Sequence, residues 1–485
     1  MRKTFILAAA ASALALSAIT GCHSDNAPTT TAEVAETTKL ETTAADWREE
    51  YAYTMGVAAL HYAYPYWRMA QFRYDTTQLD VGNPAVEPNR MLNQFWHSSE
   101  LITHDWKDGG APNNDTLYSF SWIHVADEPM ILSIPKVDRF HTFQISSANS
   151  DNFTYVGEFT HGRKAGAYAL LPQDWEGELP EGVTALAEVT SPWVLIFGRT
   201  FVAGEADIPA VQELQAQYQL TALSQWGKAE PEVAQPAVFK PHDTSTDPLA
   251  VWKTINQMLT ENPPVPEEKM LIKLFQEIQV GPGLDVASLD DASKRGLARA
   301  AEEGMRQIKA ALASSAGSKI KRNNGWIYLT DFGRTGLDGD FFSRTVWQSH
   351  SGLAGNDREQ AIYYATFTDS DNGILDGSKR YQIKMPNGSE PDVSAFWSIT
   401  MYDMDANLVP NEAARYSIGD RTPGLVRDEQ GGLTLSIQNE LPEAGEANWL
   451  PSPKEGPFWI VLRAYLPGET MLKDEWPLPV VSIVE

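Results

Sequence analysis

Beyond Cys22 the sequence holds no cysteine. No disulfide can staple the fold and no thiol further along the chain can act as a nucleophile, so stability has to come from packing. The local signatures of common chemistries are missing as well. There is no Gly-x-Ser-x-Gly elbow, no Ser-x-x-Lys with its companions, no Gly-rich phosphate loop, and no His-Glu-x-x-His or Cys/His array. Positive charge is scarce: 38 Lys and Arg face 64 Asp and Glu, a formal net charge of -26. Such a chain is repelled by phosphate backbones, which excludes nucleic acid as a partner. The acidic residues are spread along the chain rather than gathered in one tail, a pattern of solubility. No repeat of solenoid length is present.

What the sequence does contain begins with an export signal. Arg2 and Lys3 precede an almost wholly apolar or small stretch, Phe5 to Ile19. That is the charged start and apolar core of a secretory signal peptide, and it is too short for a comfortable bilayer span of about 20 residues. It ends in Ile19-Thr20-Gly21-Cys22, which resembles the bacterial lipobox. The expected reading is a signal peptide over 1–21 and a lipid on Cys22 that ties the chain to a membrane, since stable anchoring needs more than one acyl chain. His23 stands where an aspartate would favour the inner membrane. The expected address is therefore the outer membrane, facing periplasm or cell exterior. Residues 22–46 are rich in Thr, Ala, Glu and Ser and hold no Phe, Trp or Tyr. They cannot bury enough apolar surface to offset ordering and are expected to form a disordered tether.

The remaining chain has room for two or three domains and, at 42% hydrophobic and 10% aromatic residues, ample material for large cores. Tyr51 to Arg73 is expected to be helical. Short β-type runs separated by turn residues follow at Met130–Ile134, His141–Ser146, Tyr155–Thr160, Tyr168–Leu171, Thr184–Val189 and Trp193–Val202. Helical spacing then takes over at Ile208–Leu223, Pro248–Leu259, Glu267–Ile278 and Ala292–Ala316. From about Lys319 strands return, at Trp326–Leu329, Ala361–Phe367, Tyr381–Met385, Phe396–Tyr402, Leu433–Ile437, Phe458–Leu466 and Val480–Val484. The fold class expected is mainly β: a first β sandwich over 47–205, a helical connector over 206–318 and a second β sandwich over 319–485.

Two sets of strings carry a family resemblance. Asn93-Gln94-Phe95-Trp96-His97, Pro112-Asn113-Asn114-Asp115-Thr116-Leu117-Tyr118-Ser119 and Phe197-Gly198-Arg199-Thr200 resemble the bacterial family called Domain of Unknown Function 1254. Phe396 to Tyr402, Asn411 to Tyr416, Asn448 to Pro453 and Arg463-Ala464-Tyr465 resemble its usual companion, Domain of Unknown Function 1214. The resemblance covers most of the chain from Tyr51 onward. It implies two jelly-roll-like sandwiches in one chain and a homotrimer, and it implies no reaction or catalytic residue. His141 departs from the pattern, falling where relatives tend to have an aromatic residue.

Candidate chemistry stands beside plainer roles. Asn113, Asn114, Asp115 and Thr116 in a row favour an Asx-type turn, because their side chains bond nearby backbone amides. Leu117 to Trp122 then alternates as a strand. His61, His97, His104, His124, His141 and His161 crowd the first third of the body, with His242 and His350 later. None is spaced as a zinc pair, and convergence of three of them with carboxylates would be the mark of a metal-dependent hydrolase. Asp369-Ser370-Asp371-Asn372-Gly373 and Asp403-Met404-Asp405-Ala406-Asn407 alternate oxygen ligands as calcium loops do. Their twelfth positions hold Arg380 and Ala414 instead of a bidentate Glu, so turns are the simpler reading. Paired carboxylates for glycoside hydrolysis are not discriminated among so many acidic residues. The candidate ligand-binding set is His97, Asn113, Asn114, Asp115, Tyr118, Arg199, Trp397, Tyr402, Arg415 and Trp449, and the sequence leaves cofactor, metal and catalytic residues open. The leading expectation is a lipoprotein that binds or processes a carbohydrate-like or other small polar ligand, or a glycan. Its rivals are a trimeric structural or assembly protein and the metal-dependent hydrolase.

Overall fold

The structure is a computed structural model that describes residues 46–78, 91–107, 110–314, 320–330 and 332–484. The expected signal peptide, Cys22 and the tether up to residue 45 lie outside the described residues. Among the described residues no helix is long and apolar enough to cross a membrane.

The first sandwich pairs a five-stranded with a four-stranded sheet. The larger runs in the order Trp96–His97, Thr116–His124, Trp193–Phe201, His141–Ser147, Asn152–Gly157, and all its pairings are antiparallel. The smaller runs Val183–Glu188, Gly166–Leu171, Met130–Ile134, Gln219–Ala222. Successive side chains on a strand point to opposite faces. One parity of the larger sheet (Ile123, Phe143, Ile145, Val194, Ile196) therefore meets Met130, Leu132, Leu170 and Leu220 of the smaller in one core. The second sandwich repeats the plan. A six-stranded sheet, centred on Ala361–Thr366, Trp459–Pro467 and Val393–Tyr402, sends Ile362, Tyr364, Trp397, Ile399 and Leu462 inward. They meet Tyr381, Ile383, Leu433 and Leu435 of a four-stranded sheet.

A helical layer packs against the five-stranded sheet. The helix Trp47–Gln78 is aromatic-rich and buried along most of its length. It runs beside Asp291–Ala313 in the same direction, with Gly296 against Ala52, Gly56 against Ala300 and Gly304 against Leu60. A Cβ on Gly56 would sit 2.6 Å from that of Ala300, so small residues set this close approach. Asp290 caps the second helix by accepting from the amides of Ala292 and Ser293. With Ala250–Glu261 and Lys269–Gln276 these helices share one apolar core, which also takes in Trp122, Trp193 and Leu195 from the five-stranded sheet.

Most expected elements are present, and three differ. The expected strand Tyr155–Thr160 is a strand over Asn152–Gly157 followed by one helical turn, Glu158–His161. A Cβ on Gly157 would meet the His141 carbonyl at 2.5 Å; the chain crosses its neighbour closely there and leaves the sheet. The expected helix Ile208–Leu223 ends at Gln215, and Gln219–Ala222 becomes a strand on Met130–Ser133. Satisfying an open sheet edge outweighs the tail of a helical pattern. The expected helix Ala292–Ala316 ends at Ala313. Both acidic loops are turns: the Asp369 and Asp403 carboxylates each accept from two backbone amides of their own loop, Asp371 and Gly373 in the first, Asp405 and Asn407 in the second.

Candidate functional site

The outer faces of the two large sheets face each other, and the candidate site lies in this seam. On the five-stranded sheet the outward parity forms rows across the strands. One row reads Trp96, Phe120, Phe197, Gln144, Tyr155 and the next Tyr118, Arg199, Thr142. On the six-stranded sheet the facing rows read Ala361, Tyr465, Phe396 and Tyr363, Arg463, Ser398. One end of the seam is closed by aromatic packing of Phe140, Phe201, Phe396 and Tyr465, with Phe396 stacked on Tyr465 at 4.2 Å.

The polar middle is assembled from the Asn-Asn-Asp turn. The Asn113 side-chain oxygen accepts from the amides of Asp115 and Thr116 and from the Thr116 hydroxyl at 2.9–3.0 Å. Its amide nitrogen donates to the Tyr118 hydroxyl at 2.7 Å. This is the Asx-type turn expected from the sequence, and it fixes two side chains at once. Asp115 is directed across the seam, where Ser398 donates to it at 2.6 Å and Ser417 at 3.3 Å. Burial pushes its carboxyl above the usual range, against the pull of the two hydroxyls and the Arg463 charge. Arg463 donates to Thr400, to the Ala111 carbonyl and to Tyr402, whose own hydroxyl donates to the Pro112 carbonyl at 2.6 Å. Burial raises the Tyr402 phenol to about 12.

Arg199 is 7% exposed and Arg463 4%. Neither has a carboxylate within ion-pair distance among the described residues. Arg199 lies over the Phe197 ring at 4.2 Å. It gives both Nη1 hydrogens to the side-chain oxygens of Gln144 and Asn356, and one Nη2 hydrogen to the Ala354 carbonyl. A guanidinium has five such hydrogens, so Nε–H and one Nη2–H are left without a protein acceptor among the described residues. Three phenols join them. Tyr118 accepts twice from Asn113, Tyr363 accepts from Asn356, and neither hydroxyl hydrogen has an acceptor among the described residues, nor does that of Tyr465. These groups are neighbours: the Tyr118 phenol feels the charges of both Arg199 and Arg463, and that of Tyr465 feels Asp115 and Arg463.

The ten candidate residues divide. Asn113, Asp115, Tyr118, Arg199 and Tyr402 come together in the seam. Asn114 turns aside to the Ile102 carbonyl. Trp397 points into the core of the second sandwich. Arg415 holds the Trp449 carbonyl at 3.0 Å, and the Trp449 indole donates to Gln438, all near the parallel edge of the smaller sheet. His97 lies on the inner parity, bonded to Ser119 at 2.9 Å beside Phe95 and Tyr218, and burial lowers its imidazole to about 4. The other histidines are scattered: His104 bonds Tyr416, His350 bonds Tyr64, His124 packs on Trp193 and His161 on Tyr168. Among the described residues no three His, Cys, Asp or Glu are placed to hold a metal ion. Arg463, Tyr363 and Tyr465 belong to the site and were absent from the candidate set, although Arg463-Ala464-Tyr465 carried the resemblance and its alternation already put the first and third on one face.

Residues 92–222 match the family model described as Protein of unknown function (DUF1254), and residues 360–469 match Protein of unknown function (DUF1214). The chain thus pairs the two domains that its sequence resembles. Among solved structures it is similar to the VPA0106 protein of Vibrio parahaemolyticus, at 24% identity over 90% of this chain and 100% of that one, with a TM-score of 0.68. That likeness concerns the fold. An uncharacterized protein of Burkholderia cenocepacia aligns over 88% of both chains at 13% identity with a TM-score of 0.41, too low to support an argument. No curated protein matches this chain.

Proposed function

We propose that the chain binds a small anionic ligand in the seam between its two sandwiches. The observation that carries this reading is the surplus of donors over acceptors there. Among the described residues neither buried guanidinium has a carboxylate within ion-pair distance, although the charge of Asp115 reaches Arg463, and three phenol hydrogens beside them have no protein acceptor. A buried cation without a direct ion pair is costly to keep charged. A carboxylate supplies the counter-charge, accepts several of these hydrogens at once and suits the fork of an arginine. Within the same proposal the protein works at a bacterial envelope, held in the outer membrane by a lipid on Cys22, as a homotrimer. The address rests on the lipobox and the oligomer on the family resemblance.

The test is a thermal-unfolding screen of the purified chain with benzoate, succinate, glucuronate and phosphate, each beside a neutral analogue. A ligand at a hundred times its dissociation constant adds about 2.7 kcal/mol of stability. The expected outcome is an upward shift with at least one anion and none with its neutral analogue, lost in Arg199→Met. A flat response to every anion sinks the reading and leaves the seam as the joint of a structural protein.

A further inference from the structure

The seam is not uniformly polar. Immediately beside the Tyr118–Arg199 row lies Trp96, Phe120 and Phe197, and all three are half-buried although Phe120 and Phe197 occupy inner strands of the sheet. Phe120 and Phe197 meet at 4.0 Å edge to face, Trp96 is 5.9 Å from Phe120, and Tyr118 is 5.3 Å from Phe197. The helical layer covers the Trp122–Leu195 row on one side and the second sandwich covers Arg199 and Phe201 on the other. In the aromatic row between them Phe120 and Phe197 pack in part against the same helical core and stay half-buried.

The hydrogen-bonding inventory of this strip is one-sided. The oxygens around Arg199, those of Gln144, Asn356 and Ala354, each already take one hydrogen from it. Each oxygen of the Asp115 carboxylate accepts from a serine, Ser398 or Ser417, on the side of the second sandwich. A sugar needs an acceptor for its hydroxyl hydrogens as well as donors for their oxygens. A hydrocarbon ring needs neither, and it gains from edge-to-face contact with Phe120 and Phe197. Because the Arg199 guanidinium stacks on Phe197 itself, charge and aromatic surface are adjacent, so a carboxylate joined directly to a ring can reach both.

Deepening the anion reading above, on which it rests, we infer that the ligand is an aromatic carboxylate rather than a sugar acid: Arg199 and Tyr118 hold the carboxylate while Trp96, Phe120 and Phe197 hold the ring.

Calorimetric titration of the purified chain with benzoate, phenylacetate, glucuronate and benzyl alcohol separates this inference from its premise. Benzoate or phenylacetate is expected to bind at least ten-fold more tightly than glucuronate, with no heat from benzyl alcohol. Phe197→Leu, which keeps apolar volume and removes the ring, is expected to weaken the aromatic acid about five-fold or more and to leave a simple dicarboxylate such as succinate within two-fold. Tighter binding of glucuronate than of either aromatic acid overturns the inference and leaves the anion reading standing. Binding of benzyl alcohol as tight as that of benzoate overturns both, because the charge then contributes nothing. A Phe197→Leu chain that unfolds early is replaced by Trp96→Leu at the outer end of the row, with the same expectation and the same failing outcome.

Discussion

Four arginines are buried among the described residues, two in the helical layer and two in the seam, and the pairs are treated differently. In the helical layer Arg73 meets Glu261 at 2.7 Å, and Arg344 meets Asp151 at 3.0 Å with Glu268 4.0 Å away. Arg344 also donates to the Tyr62 carbonyl, while the Tyr62 hydroxyl donates to Glu268 at 2.6 Å. It sits on a π-helical turn, Arg344–His350, a local irregularity that is often functional. Here the turn is closed off instead: Gln348 reaches the Ser150 carbonyl and Asp151, and Ser349 bonds Ser150. In the seam the hydrogen-bond partners of Arg199 and Arg463 among the described residues are neutral oxygens, and Asp115 acts on Arg463 only through space. Burial of a cation is therefore not in itself a sign of a site. The missing ion pair is what separates the seam from the joint.

The largest effect expected follows from that contrast. Arg344→Met leaves Asp151 and Glu268 charged in a dry interior, and breaking a buried ion pair typically costs 3–5 kcal/mol. Arg199→Met strands no carboxylate and is expected to cost about 1–2 kcal/mol, the value of its hydrogen bonds to neutral partners. Urea denaturation of both variants decides the matter. Equal losses would dissolve the distinction between the two regions.

Asp357 tests the border between them, next in size. Its carboxylate accepts from Asn152 at 2.8 Å across the domain boundary, faces Tyr155 and Glu359, and pairs with the half-exposed Arg334 at 2.8 Å. Burial outweighs these and raises it to about 6. The folded state thus holds this proton more tightly than the unfolded chain, whose value is about 3.9. Its contribution is full below about pH 4 and is lost as pH rises through 6. Asp357→Asn, neutral at every pH, is expected to be more stable than the parent by on the order of 2–3 kcal/mol at pH 8, a margin that closes near pH 4. A margin independent of pH would show the shift to be absent.

Local grammar made much of this legible. The Asn113 turn follows from side chains that bond their own backbone, and the strand after it from the alternation of Leu117 to Trp122. The capped helix beginning at Asp291 was readable from composition. What escaped were consequences of pairing at long range. Gln219–Ala222 is a strand only because Met130–Ser133 offers an edge, and no local pattern indicates it. Arg199 and Arg463 are 264 positions apart by their numbers, and each looks like an ordinary strand residue until the sheets are laid face to face. His97 drew attention by its neighbours in sequence, yet strand parity sends it to the opposite face of the sheet from Tyr118.

The smallest effects expected lie inside the seam and show how finely it discriminates. Ser398 and Ser417 both donate to Asp115, but Ser398 does so at 2.6 Å from a buried position and Ser417 at 3.3 Å from a half-buried one. A short charge-assisted bond out of water is worth more than a long one that water can replace. Ser398→Ala is expected to cost about 1–2 kcal/mol and Ser417→Ala less than about 0.5 kcal/mol, read from denaturation midpoints. Should the two be equal, Asp115 is hydrated from the Ser417 side, and an anion entering the seam would meet a charged carboxylate rather than a masked one. The unequal result is the one that leaves Arg199 free to take the ligand.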